Sequence, residues 1–154
     1  KTFGHLEQSC FLRENYSIDT GMPPEINLLN EKNNGEALLE LINYNLILSS
    51  HDISSGGLLT ALSEMTLSSN YGAKIFKPKR LTNLFKYFFG EDQARYIVEI
   101  EEKNLAKAEK ILIDNDIFYE NIGTTQEEYL EIEGELKMSN KDLFKINNQW
   151  YNNY

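Results

Sequence analysis

Hydrophobic positions along the chain recur at two spacings. Leu58, Ala61, Leu62 and Met65 fall on one face of a helix that ends near 68–70. Leu38, Leu41 and Ile42 predict a helix over 35–45, with 28–34 leading into it. Leu105, Ala108 and Leu112 predict another, capped by Asn104 and running to Ile113. A short aromatic helix is expected over 81–88. A last helix carries Leu143, Phe144 and Trp150 and is capped by Ser139 or Asn140. Period-two alternation of Tyr96, Val98 and Ile100 predicts a strand over 94–101. Further short strands are expected within 3–13, and at 46–49, 72–76, 117–122 and 129–133. The turn Gly123-Thr124-Thr125 lies in the gap between the last two. Thr20-Gly21-Met22-Pro23-Pro24 is a clear break, because two prolines remove donors and force an extended path. Helices and strands interleave, so the expected class is α/β of the α+β type, a mixed β-sheet flanked by helices. One domain over 1–154 is expected.

Composition changes this picture only by exclusion. A chain of 154 residues can bury a sizeable core. The net charge of -9 argues against a nucleic-acid partner, which needs clustered Lys and Arg. The one basic cluster, with Lys77, Lys79 and Arg80, reads as a solvated turn. Glu127, Glu128, Glu131, Glu133 and Glu135 read as the exposed face of a strand around Leu130 and Ile132. Cys10 has no cysteine partner in the chain and is expected to be a buried structural thiol, which suits a reducing, cytoplasmic location. No apolar run is long enough to span a bilayer, and no signal-peptide pattern opens the chain. The chain opens Lys1-Thr2-Phe3 without Met, so a piece of a longer protein is expected.

The chemistry concentrates in two places. The first is Ser50-His51-Asp52-Ile53-Ser54-Ser55-Gly56-Gly57-Leu58, between a short strand and a helix. A carboxylate, hydroxyls and free backbone N–H groups at such a corner favour a phosphate accompanied by a divalent cation. Asp52 is the candidate metal ligand, Ser54 and Ser55 are donors to phosphate oxygens, and Gly56 and Gly57 allow close approach. The same residues also suit a plain helix cap, with Asp52 or Ser55 capping and the glycines turning the chain. His51 is read as structural or supporting. Two histidines and one cysteine make a zinc site a poor fit. The second place is Gly90-Glu91-Asp92-Gln93-Ala94-Arg95. Its acids and amide could read a substrate carrying amide and hydroxyl groups, or Arg95 could pair with Glu91 or Asp92 in a charged turn.

Taken together and in this order, these clusters resemble the C-terminal domain of the phosphoribosylformylglycinamidine synthase family. The family pattern reads His-Asp-x-Ser-Asp-Gly-Gly-Leu before an Ala-Leu-x-Glu-Met helix. This chain has His51-Asp52-Ile53-Ser54-Ser55-Gly56-Gly57-Leu58, then Ala61-Leu62-Ser63-Glu64-Met65. The family's Phe-Gly-Glu-x-Gln-x-Arg-Tyr block is met by Phe89-Gly90-Glu91-Asp92-Gln93-Ala94-Arg95-Tyr96. Gln8-Ser9, Pro23-Pro24 with Asn27-Leu28, and Ile122-Gly123 match as well. Two departures stand out. Ser55 replaces the family's second Asp, and Glu7-Gln8 replaces a common Gly-Gly.

The resemblance implies the last of four domains in an ATP-dependent carbon–nitrogen ligase of purine biosynthesis, whose N-terminal domains hold the main active site. Formylglycinamide ribonucleotide would be phosphorylated on its amide oxygen and converted to the amidine by glutamine-derived ammonia. It implies ATP or ADP with Mg²⁺ at an auxiliary site, with Asp52 on the metal and Ser54, Gly56 and Gly57 on the nucleotide. Glu91 and Gln93 correspond to substrate-contacting positions. No catalytic residue is expected in this chain, and the isolated chain is expected to be inactive. The implied partners are the N-terminal domains of the same enzyme and a glutaminase domain or subunit. Competing expectations are a non-catalytic nucleotide-binding domain, an architectural domain using Phe85, Phe88 and Phe89 as interface residues, or a relative of selenophosphate synthetase or thiamine-monophosphate kinase.

Overall fold

A computed structural model of the chain describes residues 1–78 and 83–152. Lys79, Arg80, Leu81 and the side chain of Trp150 lie outside the described residues. The chain forms two compact units, one of Lys1–Ala61 with Asn83–Glu120 and one of Leu62–Thr82 with Asn121–Tyr154. Helices and mixed strands alternate as expected, but the strands divide between two sheets instead of joining one.

The first unit holds helix α1 (Cys10–Tyr16), helix α2 (Leu28–Asn43) and strand β1 (Ser49–Asp52). Helix α3 (Gly57–Ser69) starts in it; β2 (Gly72–Ile75) belongs to the second unit. The first unit continues with α4 (Leu84–Phe89), β3 (Tyr96–Glu99) and α5 (Glu102–Asp114). Strands β1 and β3 pair antiparallel, with His51 opposite Ile97 and Asp52 opposite Tyr96. Leu41, Leu46 and Ala108 form one core cluster, with Ile47, Ile100, Ile111 and Leu112 packed on it, and Leu58, Tyr87, Phe88 and Ile97 are buried as well.

Several expectations are corrected here. Residues 10–12 are helical, not a strand. The Ser9 hydroxyl accepts from the Leu12 N–H at 3.3 Å, and Ser17 closes the helix in the left-handed region. This is local capping that outweighs the β-prone look of Cys10-Phe11-Leu12. Cys10 is half-buried rather than buried, and its Sγ accepts from Arg13 Nη2 at 3.3 Å. Helix α2 starts seven residues before the expected 35, because the Asn27 side chain accepts from the Asn30 N–H at 3.0 Å. Its early Leu28 and Leu29 are exposed, so the first turns carry no inward periodicity to read. Helix α5 begins at Glu102 after a Glu101 cap residue, leaving Asn104 inside its first turn. The strand expected at 46–49 is displaced to Ser49–Asp52.

The second unit carries a four-stranded mixed sheet in the order β4-β2-β5-β6, with β4 (Gly123–Gln126), β5 (Tyr129–Ile132) and β6 (Leu136–Ser139), and ends in α6 (Asn140–Asn152). Strand β2 runs parallel to β5 and antiparallel to β4. Residues 117–122 are not a strand; the strand is Gly123–Gln126, read from sequence as a turn. A Cβ on Gly123 would come within 2.2 Å of the Lys74 carbonyl oxygen, so a glycine here permits pairing instead of turning the chain. Strand β6 was not anticipated.

The alternation around Leu130 and Ile132 holds. Both are buried with Ile75, while Glu131 faces Lys74 Nζ at 3.8 Å and Lys137 Nζ at 3.6 Å. Of the five glutamates expected on an exposed strand face, only Glu131 lies within β5, half-buried between lysines of both neighbouring strands; Glu127, Glu128, Glu133 and Glu135 lie in the turns on either side. Ser139 caps α6, accepting from the Asp142 N–H at 3.1 Å. Among the described residues no helix is long and apolar enough to cross a membrane.

Candidate functional site

The turn after β1 is built as a corner. The Gly57 N–H donates to the Ser54 carbonyl at 3.1 Å, and Gly56 and Gly57 take φ of +80° and +72°. The Thr60 hydroxyl donates back to the Gly56 carbonyl at 3.0 Å, tying the turn to the first residues of α3. Ser54 and Ser55 are exposed, and the Asp52 side chain is 65% exposed. The glycines are buried. His51 Nδ1 lies 2.6 Å from the Asp52 carbonyl oxygen and 3.7 Å from Asp52 Oδ1, so the imidazole braces its neighbour locally. The corner therefore offers one carboxylate and two hydroxyls to solvent. No group of three or more His, Cys, Asp or Glu arranged for a metal occurs among the described residues.

The Glu91–Arg95 block has the opposite character. Asp92 Oδ2 accepts from the N–H groups of Phe3 and Gly4, both at 2.9 Å, and Oδ1 accepts from the His5 N–H at 3.1 Å. Glu91 Oε1 accepts from the Cys10 N–H at 2.8 Å and the Gly56 N–H at 2.7 Å. Arg95 donates from Nη2 to the Gly90 carbonyl at 2.5 Å and from Nε to the Asp92 carbonyl at 3.0 Å. Its Nη1 lies 4.0 Å from Asp92 Oδ2. Arg95 and Asp92 are 7% and 6% exposed, so this is an interior charge pair wrapped in backbone hydrogen bonds. Burial lowers the Arg95 pKa, and the negative charge of Asp92 chiefly opposes that shift. Ala94 sits in the left-handed region at φ 57°, and its carbonyl accepts from Asn34 Nδ2 at 2.8 Å. Gln93 is exposed.

The two clusters touch. A Cβ on Gly57 would lie 2.7 Å from the Phe89 carbonyl carbon and 2.8 Å from the carbonyl oxygens of Phe88 and Gly90. The Ile53 N–H donates to the Arg95 carbonyl at 2.8 Å. Gly57 therefore admits the end of α4 at a distance that no side chain would allow. The departure at Glu7-Gln8 also finds a use. Glu7 Oε2 accepts from the Met22 N–H at 2.7 Å, and Gln8 Nε2 donates to the Gly21 carbonyl at 2.7 Å.

Of the expected site residues, Asp52 and Ser54 sit together facing solvent, and Gly56 and Gly57 lie beneath them. Glu91 reaches the corner from inside, and Gln93 stands exposed on the same loop. Arg95 lies beside Asp92, one of the two partners expected for it, but the pair is interior and not a solvated turn. Apart from the Thr2 hydroxyl at 3.4 Å from Arg95 Nη1, the hydrogen-bond partners of the two are backbone groups, which carry no residue-type signal. Among the three aromatics, Phe88 is buried, Phe85 is exposed, and Phe89 stacks on Phe11 with ring centroids 4.5 Å apart. Phe88 is thus core rather than interface.

Comparison with known proteins bears on this arrangement. The chain is 48% identical over all 154 residues to phosphoribosylformylglycinamidine synthase subunit PurL of Pelagibacter ubique, and covers 21% of that protein. It is 35% identical over 147 residues to the PurL subunit of Bartonella bacilliformis, covering 96% of this chain and 20% of that one. The chain thus spans about a fifth of the length of these curated relatives. Among solved structures, Thermotoga maritima PurL complexed with FGAR superposes with a TM-score of 0.64 at 22% identity, over 74% of this chain and 21% of that one. Thermotoga maritima PurL complexed with ATP gives 0.63 at 22% identity, over 73% and 21%. These structural likenesses show a shared fold. The family model for the AIR synthase related protein, C-terminal domain, covers residues 7–134, including both the corner and the Glu91–Arg95 block, and the chain belongs to that family.

Proposed function

We infer that this chain is one C-terminal domain of a longer ATP-dependent carbon–nitrogen ligase, a phosphoribosylformylglycinamidine synthase. The observation that carries this reading is the 48% identity sustained over every residue of the chain to a PurL subunit. In that protein, formylglycinamide ribonucleotide would be phosphorylated by ATP on its amide oxygen, and ammonia from glutamine would displace the phosphate. The N-terminal domains of the same chain and a glutaminase would be its partners, in the cytoplasm.

This chain's own contribution is binding and architecture. Asp52 and Ser54 form a corner for a nucleotide phosphate accompanied by Mg²⁺, with Gly56 and Gly57 shaping the turn. One carboxylate suits magnesium, which keeps most of its water and takes its other ligands from phosphate oxygens. When bound, the ion would neutralise phosphate charge at the corner. Gln93, exposed on the neighbouring loop, is the better placed of the two candidate substrate contacts. An architectural reading is favoured in its turn by the inward commitment of Glu91 and Asp92.

The test is titration of Mg-ADP into the full-length protein and its Asp52→Ala variant by calorimetry. The variant is expected to lose one binding site or to weaken it about tenfold, the effect of removing a metal-bound carboxylate. Equal stoichiometry and affinity would leave the architectural reading in possession.

A further inference from the structure

Glu91 is fastened on three sides. Its own N–H donates to the His5 carbonyl at 2.8 Å, and its Oε1 accepts from two N–H groups, of Gly56 and Cys10, which are 35 and 81 residues away. The Gly56 N–H belongs to the turn carrying Asp52 and Ser54. Two other ties run from the same loop to the same turn: Ile53 N–H to the Arg95 carbonyl, and the contact of Gly57 with the Phe88–Gly90 backbone. A side chain reaching into solvent for a substrate would not spend its oxygen on two backbone donors.

The geometry points to Glu91 as a positioning residue: its half-buried carboxylate accepts from both backbone donors, holds the turn between β1 and α3 in place and binds it to the start of α1. The outward presentation of Asp52 and Ser54 follows from this hold. The inference rests on the preceding reading only in giving the corner a ligand; the hold itself does not depend on that reading. The Glu91 charge also favours the charged form of the Arg95 guanidinium. Glutamine in its place keeps an acceptor oxygen of the same reach, whereas alanine keeps none.

Hydrogen–deuterium exchange in the full-length protein tests this, read in peptides that contain Gly56 and Cys10. Glu91→Ala is expected to speed exchange in both peptides roughly tenfold or more, since two amides lose their acceptor. Glu91→Gln is expected to stay within about threefold of the parent, since the acceptor is restored. Unchanged exchange in the alanine variant, or a glutamine variant as fast as alanine, would overturn the inference. If the alanine variant does not fold, the glutamine variant decides alone: retained protection supports the hold, and lost protection refutes it. Exchange reads the hold whether or not nucleotide binds, so failure of the Asp52 titration and failure of this proposal are told apart.

Discussion

Asp52 and Asp92 are the same residue type in neighbouring clusters, and they do opposite work. Asp52 lies at the end of a two-stranded ribbon with its side chain 65% exposed. Asp92 is 6% exposed and accepts from the N–H groups of three consecutive residues, Phe3, Gly4 and His5. The difference lies in the backbone around them. At Asp92 a run of amides and a buried guanidinium compensate the charge, so the carboxylate becomes part of the interior. At Asp52 no such run is found among the described residues, and the carboxylate stays largely in water with His51 Nδ1 3.7 Å away.

The sharpest way to break this contrast is to remove each carboxylate. Asp92→Ala would leave three N–H groups without their acceptor and Arg95 without its counter-charge. The expected cost is about 3 to 5 kcal/mol, read by denaturant unfolding of the protein that carries this chain. A cost under about 1 kcal/mol would mean the inward cluster is not needed.

The next largest effect concerns Tyr87, which borders the same cluster. Burial, and then the Glu120 carboxylate, push its phenol up to about 12. A raised folded pKa favours the protonated form. The associated stability is therefore complete below the unfolded value near 10 and is lost as pH rises towards 12. The loss is on the order of 2 kcal/mol across that window. Tyr87→Phe should remove this component, and alkaline unfolding curves of the two proteins should differ in slope between those limits.

A smaller effect sharpens the view of the Glu91–Arg95 loop as a fixed scaffold. Ala94 holds a left-handed φ of 57°. Ala94→Gly should relieve about 1 kcal/mol of backbone strain, less the entropy that glycine restores to the unfolded chain, for a net gain of a few tenths. A clear loss instead would show that the methyl group packs usefully. The smallest effect is expected at the outward carboxylate. Asp52→Ala should change stability by no more than about 0.5 kcal/mol, as for an exposed side chain free of such networks.

Sequence carried the two clusters, and it did so because their residue types are unusual at that spacing. Helix α3 and the buried pair Leu130 and Ile132 were legible for a related reason: their apolar periods report which face is inside. The start of α2 was not, because Leu28 and Leu29 face solvent and only the Asn27 cap marks the boundary. Strand β4 was read as a turn because Gly-Thr-Thr has turn composition, while its pairing with β2 depends on a partner far away in sequence. The inward role of Asp92 was illegible for the same reason. Its partners are amides more than 80 residues distant, and an amide looks alike under every side chain.

The near-contact of Gly57 with the Phe88–Gly90 backbone has a mechanical consequence. A Cβ on Gly57 would lie 2.7 to 2.8 Å from that backbone, so no side chain fits between the turn and the end of α4 unless one of them moves. One missing methyl group thus sets how closely two segments more than thirty residues apart in sequence can approach.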